Sequence, residues 1–380
     1  MGRTMGKLVG MTLISFFCVF VFVQTSVAAD FKIGYCVPIT GSMAKPGAAN
    51  IRGATLAVKE INGAGGVAGM KLELLTQDSK CTPTEGINVA ERFVERDKVD
   101  VLMGEVCSST TIAILEVVKR TKMPLVVTTS TAPEITSATA PTKGYVFRLV
   151  PTNDLLTAQL AETMIDKLKF KKIALVTDVG NEWSVTLRNL FKKQMEKRGV
   201  NPLAEESIQP GETDFYSVIS KVKAANPDAV FANMQGVELV NFTRQAHESG
   251  LKKQLFSGQA AADPATVKAM GEAADDMICL SFYEPTNMDN SVSIRFTQNF
   301  QKAYPDIEPG IYDAQPYDGV YFIADALKRA GGDKAKFLGA MKSTKDLQGI
   351  IGLTTFDENG QAQKRVLMVR IKGGKKTILK

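Results

Sequence analysis

Two hydroxyl-rich runs carry most of the chemistry this chain offers. The first, Cys107-Ser108-Ser109-Thr110-Thr111, directly follows the apolar segment Val99-Asp100-Val101-Leu102-Met103-Gly104. The second, Val126-Val127-Thr128-Thr129-Ser130-Thr131, lies about a strand-helix unit later, at the end of another apolar segment. Both stand where a parallel strand is expected to end and a helix to begin. Open α/β sheets bind ligands outside the carboxyl ends of their strands. Hydroxyls and free backbone N–H groups at a helix start form a site for a carboxylate. Nothing in either run looks like a nucleophile with a base beside it. The chemistry indicated is capture of a small molecule.

Other motifs are weaker. Gly63-Ala64-Gly65-Gly66-Val67-Ala68-Gly69 matches a dinucleotide fingerprint in spacing, but it follows a helix and precedes a strand. The fingerprint needs the opposite order, so a glycine-rich turn is the better reading. No Walker loop, GxSxG or HExxH occurs. The only histidine, His247, falls near the end of a polar helix and reads as solvated. Asp275-Asp276 and Glu205-Glu206 fall in predicted turns and read the same way. With one histidine and no CxxC, no zinc site is expected, and no metal or cofactor of any kind.

Residues 1–29 read as an export signal. Arg3 and Lys7 precede an apolar run from Leu8 to Val23, and Val27-Ala28-Ala29 supplies a small-residue cleavage site before Asp30. An uncleaved membrane anchor is the alternative, though the run is slightly short for a span. Cys18 lacks the small-residue context of a lipoprotein signal. Cleavage removes two positive charges and lowers the net charge from +6 to +4. The residual excess forms no arginine-rich, aromatic-interleaved stripe, which argues against nucleic acid as a partner. No second apolar stretch approaches spanning length, so the mature chain is expected to be soluble and large enough for two domains.

Four cysteines remain: Cys36, Cys81, Cys107 and Cys279. Cys81 and Cys107 are expected to pair, since each sits in a loop after a predicted strand in neighbouring βα units. Such a bridge is worth roughly 3 to 4 kcal/mol on the loop-entropy account. Cys36 and Cys279 lie within predicted strands and read as core residues.

From Asp30 onward, strand and helix patterns alternate about every 25 residues. Strands are expected at Phe31–Val37, Lys71–Thr76, Val99–Met103 and Pro124–Thr128, with helices at Gly47–Asn62, Thr84–Arg96 and Ser109–Thr121. Ile51, Ala54, Leu56 and Val58 give the first helix its apolar side, leaving Lys59 and Glu60 in solvent. This is the rhythm of a parallel sheet covered on both faces. A second series follows Arg148-Leu149-Val150-Pro151-Thr152. Its first helix carries Leu156, Leu160, Met164 and Leu168, with Asn153 placed to cap it. Strands are then expected at Lys172–Thr177, Asp228–Ala232, Gln254–Ser257 and Met277–Phe282, with an amphipathic helix beginning at Asp214. The chain beyond Glu284 reads as helix-rich, closing with hairpin-like Leu353–Asp357 and Arg365–Ile371.

Taken in order, these segments resemble the periplasmic leucine/isoleucine/valine-binding family of ABC-importer receptors over nearly the whole mature chain. The resemblance runs through Ile33-Gly34 to Pro38-Ile39-Thr40-Gly41, Gly53 to Asn62, Gly65 to Gly69, Asp78 to Pro83, and Gly104 to Thr110. It implies an α/β fold of two doubly wound lobes with mainly parallel sheets, joined by three crossovers and closing on ligand like a flytrap. The crossovers fall near Val150-Pro151, Phe282-Tyr283-Glu284 and Ile350–Leu353. Lobe one is then 30–149 plus 284–350, and lobe two 150–283 plus 351–380. The resemblance also implies a monomeric, periplasmic, non-enzymatic receptor that delivers an amino acid or related carboxylate to an inner-membrane permease and ATPase.

Carried over position by position, Ser108 matches the serine that holds the ligand carboxylate. Thr131 matches the threonine that helps bind it, and Thr129 contributes a carbonyl. Each has a plainer reading as a helix cap, and Thr131-Ala132-Pro133-Glu134 is itself a capping-box pattern. Trp183 lies near the family's ligand-covering tyrosine, or is a partly exposed helix aromatic. Gln235 stands in a region where the family often has tyrosine. Gln259 stands where the family has a glutamate for the ligand ammonium. That departure suggests a ligand without an α-ammonium, unless Asp263 or Asp313 supplies the charge. A sensory module on the same fold would normally continue into a membrane span, and an enzyme would need a catalytic grouping that is not visible.

Overall fold

The computed structural model describes residues 1–2, 30–285 and 290–379. Apart from Met1 and Gly2, the expected export signal lies outside the described residues, and Cys18 with it.

The first sheet contains β1 (Phe31–Val37), β2 (Leu72–Asp78), β3 (Val101–Met103), β4 (Leu125–Val127) and β5 (Val146–Arg148). They lie in the order β2-β1-β3-β4-β5, all parallel. β1, β3, β4 and β5 are almost wholly buried, as a sheet covered on both faces requires. The covers and connections are α1 (Ala44–Gly63), α2 (Pro83–Arg92) and α3 (Ser108–Thr121).

Beyond β5 the chain enters a second sheet through α4 (Asn153–Ala161). Its strands are β6 (Ile173–Asp178), β7 (Pro202–Ile208), β8 (Ala229–Asn233), β9 (Gln254–Ser257) and β10 (Ile278–Ser281). The helices are α5 (Glu182–Glu196), α6 (Tyr216–Ala225), α7 (Gly236–Glu248) and α8 (Pro264–Met270). The chain then returns to pack α9 (Ser291–Ala303), α10 (Ile311–Arg329) and α11 (Lys334–Lys342) with the first sheet's helices. It passes through a short ribbon, β11 (Leu347–Gly349) with β12 (Gly352–Thr354). Finally, β13 (Leu367–Lys372) and β14 (Lys375–Ile378) join the second sheet, giving β14-β13-β10-β9-β8-β6-β7. The β6-to-β10 core is parallel and the last two strands are antiparallel. Two α/β lobes with mainly parallel sheets result.

Several sequence expectations are corrected here. The segments 353–357 and 365–371 do not form a hairpin together: β12 pairs with β11, and β13 pairs with β10 and β14. Glu205 and Glu206 lie in edge strand β7 rather than a turn. Glu60 accepts hydrogen bonds from Tyr317 (2.6 Å) and Tyr321 (2.8 Å), so α1 and α10 meet around it. Asn153 does not cap α4. The cap is Thr152, whose hydroxyl accepts the Leu155 N–H. Leu168 lies just past the buried stripe and is exposed. Cys36 and Cys279 are buried free thiols, as expected. Among the described residues no helix is long and apolar enough to cross a membrane.

Candidate ligand-binding site

β3 and β4 are parallel neighbours, so the loops after them open at the same edge of the first sheet. Ser108 is the first residue of α3, immediately after the β3 loop. Neither it nor Cys107 caps the helix through a side chain. After β4, residues Pro133–Thr136 form a single tight helical turn, again without a side-chain cap. The capping expectation for Thr131 therefore fails. The Ser108 and Thr131 hydroxyls are buried and make no hydrogen bond within the protein. Buried polar groups are rarely left so.

The two loops are tied to each other and to the sheet. Ser130 Oγ donates to the Glu105 carbonyl (2.8 Å) and shares a 2.6 Å hydrogen bond with Thr111 Oγ1. Thr129 Oγ1 donates to Asn50 Oδ1 (3.1 Å), which also accepts from the Tyr35 hydroxyl (2.8 Å). The Cys81–Cys107 disulfide clamps the loop after β2 to the residue before Ser108. Behind it, Glu105 accepts from Ser79 Oγ (2.7 Å) and from the Cys107 N–H (2.9 Å). Burial pushes the Glu105 carboxyl up to about 7 against those donors. The fully buried Arg148 guanidinium donates to the Ala132 carbonyl, Thr136 Oγ1 and Gln361 Oε1, holding the Thr131 loop from below.

On the second sheet, β6, β8 and β9 are adjacent, and the expected residues follow their carboxyl ends. Trp183, the second residue of α5, is 5% exposed rather than a partly exposed helix aromatic. Its indole N–H has no partner. The ring lies flush on Gly258, where an added Cβ would come within 2.5 Å of it. The next residue, Gln259, is buried with an unpartnered Oε1. Gln235 occupies the position before α7, half-buried and not capping it. α3 and α5 are in contact across the two lobes.

The structure thus groups Ser108, Thr129 and Thr131 on one lobe, and Trp183 with Gln259 on the other, while Gln235 lies half-buried between β8 and α7. Beside Gln235 and Gln259 runs an interlobe crevice of ≈ 930 Å³, lined by Pro46, Arg52, Tyr312, Gly236 and Ala260 among others. None of the six expected residues lines that crevice. Both acidic candidates, Asp263 and Asp313, line it, and each already holds partners. Asp313 is held by Arg52 (2.9 Å) and by the Gly310 N–H (3.0 Å). Asp263 caps α8 through the Ala265 N–H (3.1 Å). Among the described residues no cluster of side chains fits a metal ion.

Residues 30–376 match the family model described as periplasmic binding protein. The chain belongs to that family. This periplasmic binding protein is 28% identical, over 89% of both chains, to the leucine-, isoleucine-, valine-, threonine- and alanine-binding protein of Pseudomonas aeruginosa. It also resembles the branched-chain amino acid substrate-binding protein of Streptococcus pneumoniae, solved with isoleucine. There the TM-score is 0.85 at 26% identity, covering 92% of this chain and 99% of that one. A Rhodopseudomonas palustris solute-binding protein solved with benzoate gives the same TM-score, 0.85, at 24% identity, covering 92% and 95%. That last likeness speaks for the fold alone.

Two supporting residues, Glu105 and Arg148, escaped the sequence, because nothing local marks a charge that tertiary packing will bury. Asn153 carries helix-start chemistry that also fits the position Thr152 occupies, so spacing alone did not separate them.

Proposed function

We propose that this periplasmic binding protein is the monomeric, exported substrate-binding receptor of an ABC importer, its signal removed after Ala29. In this reading it captures a small carboxylate between lobe one (30–149 plus 284–350) and lobe two (150–283 plus 351–380). It then presents that ligand to a membrane permease and ATPase, and performs no catalysis. The observation that carries the reading is the pair of buried Ser108 and Thr131 hydroxyls without a protein partner, at adjacent strand-helix junctions. An anion between them would satisfy both hydroxyls and the free N–H groups at the start of α3. Thr129 supplies a carbonyl at the same edge, and Trp183, Gln235 and Gln259 close the site from the second lobe. The amino-acid-binding relative at 28% identity supports a ligand of this size and class.

Trp183 is the only tryptophan, so its emission reports on the site alone. Amino acids, aliphatic acids, aromatic acids and amides are titrated while fluorescence and melting temperature are followed. Carboxylates are expected to change both, since a ligand bound only by the native state raises its stability. Changing Ser108 and Thr131 together to alanine is expected to weaken the best carboxylate by roughly 2 to 5 kcal/mol. Unchanged affinity in that variant would move the anchor elsewhere.

A further inference from the structure

We infer that the ligand is a carboxylate without an α-ammonium group, and that Asn153 is one of the residues that receive it. The inference rests on the carboxylate-receptor reading above and specifies its ligand.

Around the ends of β3, β4, β6 and β9 the unpartnered side chains are neutral, and Glu284 beyond β10 is ion-paired with Lys376 (3.4 Å). Ser108, Thr131, Asn153, Trp183 and Gln259 are each at most 5% exposed and retain at least one polar atom without a hydrogen bond. Asn153 is the extreme case. It is 0% exposed, and both its amide oxygen and its amide nitrogen lack partners. Capping does not occupy it, because Thr152 caps α4. Its own N–H donates to the Thr131 carbonyl (2.9 Å), which fixes it beside one carboxylate anchor. On the other lobe, the Trp183 ring lies on Gly258, directly before Gln259.

The neighbouring carboxylates are already engaged. Glu105 takes hydrogen bonds on both oxygens. Asp178, at the end of β6, accepts the Gly180 N–H (3.1 Å). Asp263 caps a helix, and Asp313 is paired with Arg52. An ammonium drawn between the lobes would lose its hydration, and drawing any of these carboxylates to it would disturb the partners that carboxylate already holds. A carboxylate meets the Ser108 and Thr131 hydroxyls, the Trp183 indole N–H and the Asn153 amide N–H, and a hydrogen bond to a charged group is about twice as strong as a neutral one. Ser108, Thr131, Trp183 and the Asn153 amide nitrogen leave donors, which favour an anion, while the leftover acceptors, Gln259 Oε1 and Asn153 Oδ1, are neutral and supply no counter-charge for an ammonium.

Two ligand pairs differing only in the α-amino group decide the point: 4-methylpentanoate against leucine, and 3-phenylpropanoate against phenylalanine. Calorimetry on the wild-type protein is expected to show the deamino member of the better-bound pair at least tenfold tighter. Equal or tighter binding of the amino acid overturns the inference. If the Ser108/Thr131 double alanine variant still weakens that amino acid, the receptor reading survives. Failure of all four to bind overturns the inference. If no carboxylate in the wider panel binds either, the receptor reading falls with it. Asn153→Asp, nearly isosteric, is expected to weaken the preferred carboxylate at least tenfold by setting like charges together, with Asn153→Ala as a milder companion. Unchanged affinity in both removes Asn153 from the site. Gln259→Glu is expected to shift the preference toward the amino acid, and a further shift toward the deamino acid counts against the inference.

Discussion

Glu105 and Asp313 are carboxyls that folding buries, and burial raises both to about 7. Their ordinary values are 4.5 and 3.8, so between those values and pH 7 the folded chain holds protons that the unfolded chain has released. The sign follows from linkage. This stabilisation is fully present below the unfolded values and is lost as pH rises through about 7. Asp78 and Asp228 are held low by hydrogen-bond donors and act oppositely, losing their contribution only as pH falls through the acid range. The melting temperature is therefore expected to fall between about pH 5 and about pH 8, by a stability change on the order of 1 to 3 kcal/mol for each buried carboxyl. Glu105→Gln should flatten that slope in scanning calorimetry across pH, and a slope identical to wild type would show that Glu105 is not raised. The sequence marked Ser108 and Thr131 through their type and their place after apolar strands. It could not mark Glu105, because its burial comes from Ser79 and the disulfide loop, 26 residues apart in the chain.

Elements were legible where a local pattern is unambiguous. The runs Phe31–Val37 and Gln254–Ser257 form strands with the boundaries expected. The closing segments were misread because a turn between apolar stretches looks like a hairpin whichever partners tertiary structure supplies. β13 instead finds β10, nearly a hundred residues earlier. β5 was not among the expected strands, although β3 and β4, equally short, were. The disulfide is the device that converts element positions into site geometry, joining the β2 loop to the start of α3 across a Cα separation of 5.6 Å. Changing Cys81 and Cys107 together to serine is expected to cost about 3 kcal/mol of stability. It should also weaken the preferred carboxylate, since Ser108 follows the freed residue directly. Chemical denaturation and calorimetry on the same variant separate the two effects. Full affinity with lowered stability would confine the bridge to a structural role.

At the scale of the whole molecule, function depends on how closely the lobes approach. The chain crosses between sheets after β5, after β10 and before β13, and one buried apolar cluster runs through both lobes, from Ile33 and Tyr317 to Leu175 and Phe256. The two-series rhythm made that plan legible. The contacts at the seam were not, because they join residues far apart in sequence. One such contact is Gly310, at the start of α10 on the first lobe. An added Cβ there would come within 2.3 Å of Asp263 Oδ2 on the second lobe and 2.8 Å of Pro264 Cδ. The φ at Gly310 is −108°, a value any residue adopts, so Gly310→Ala brings no backbone strain. The methyl group would act only where the lobes meet, disfavouring the closed form by the 1 to 3 kcal/mol typical of overpacking. A ligand that selects the closed state loses affinity by the same amount. Gly310→Ala is therefore expected to bind the preferred carboxylate roughly tenfold more weakly or worse, with the lobes themselves as stable as before. Small-angle scattering should show the ligand-induced decrease in radius of gyration shifted to higher ligand concentration. Wild-type affinity in this variant would mean that the Asp263–Gly310 contact is not part of the ligand-bound state.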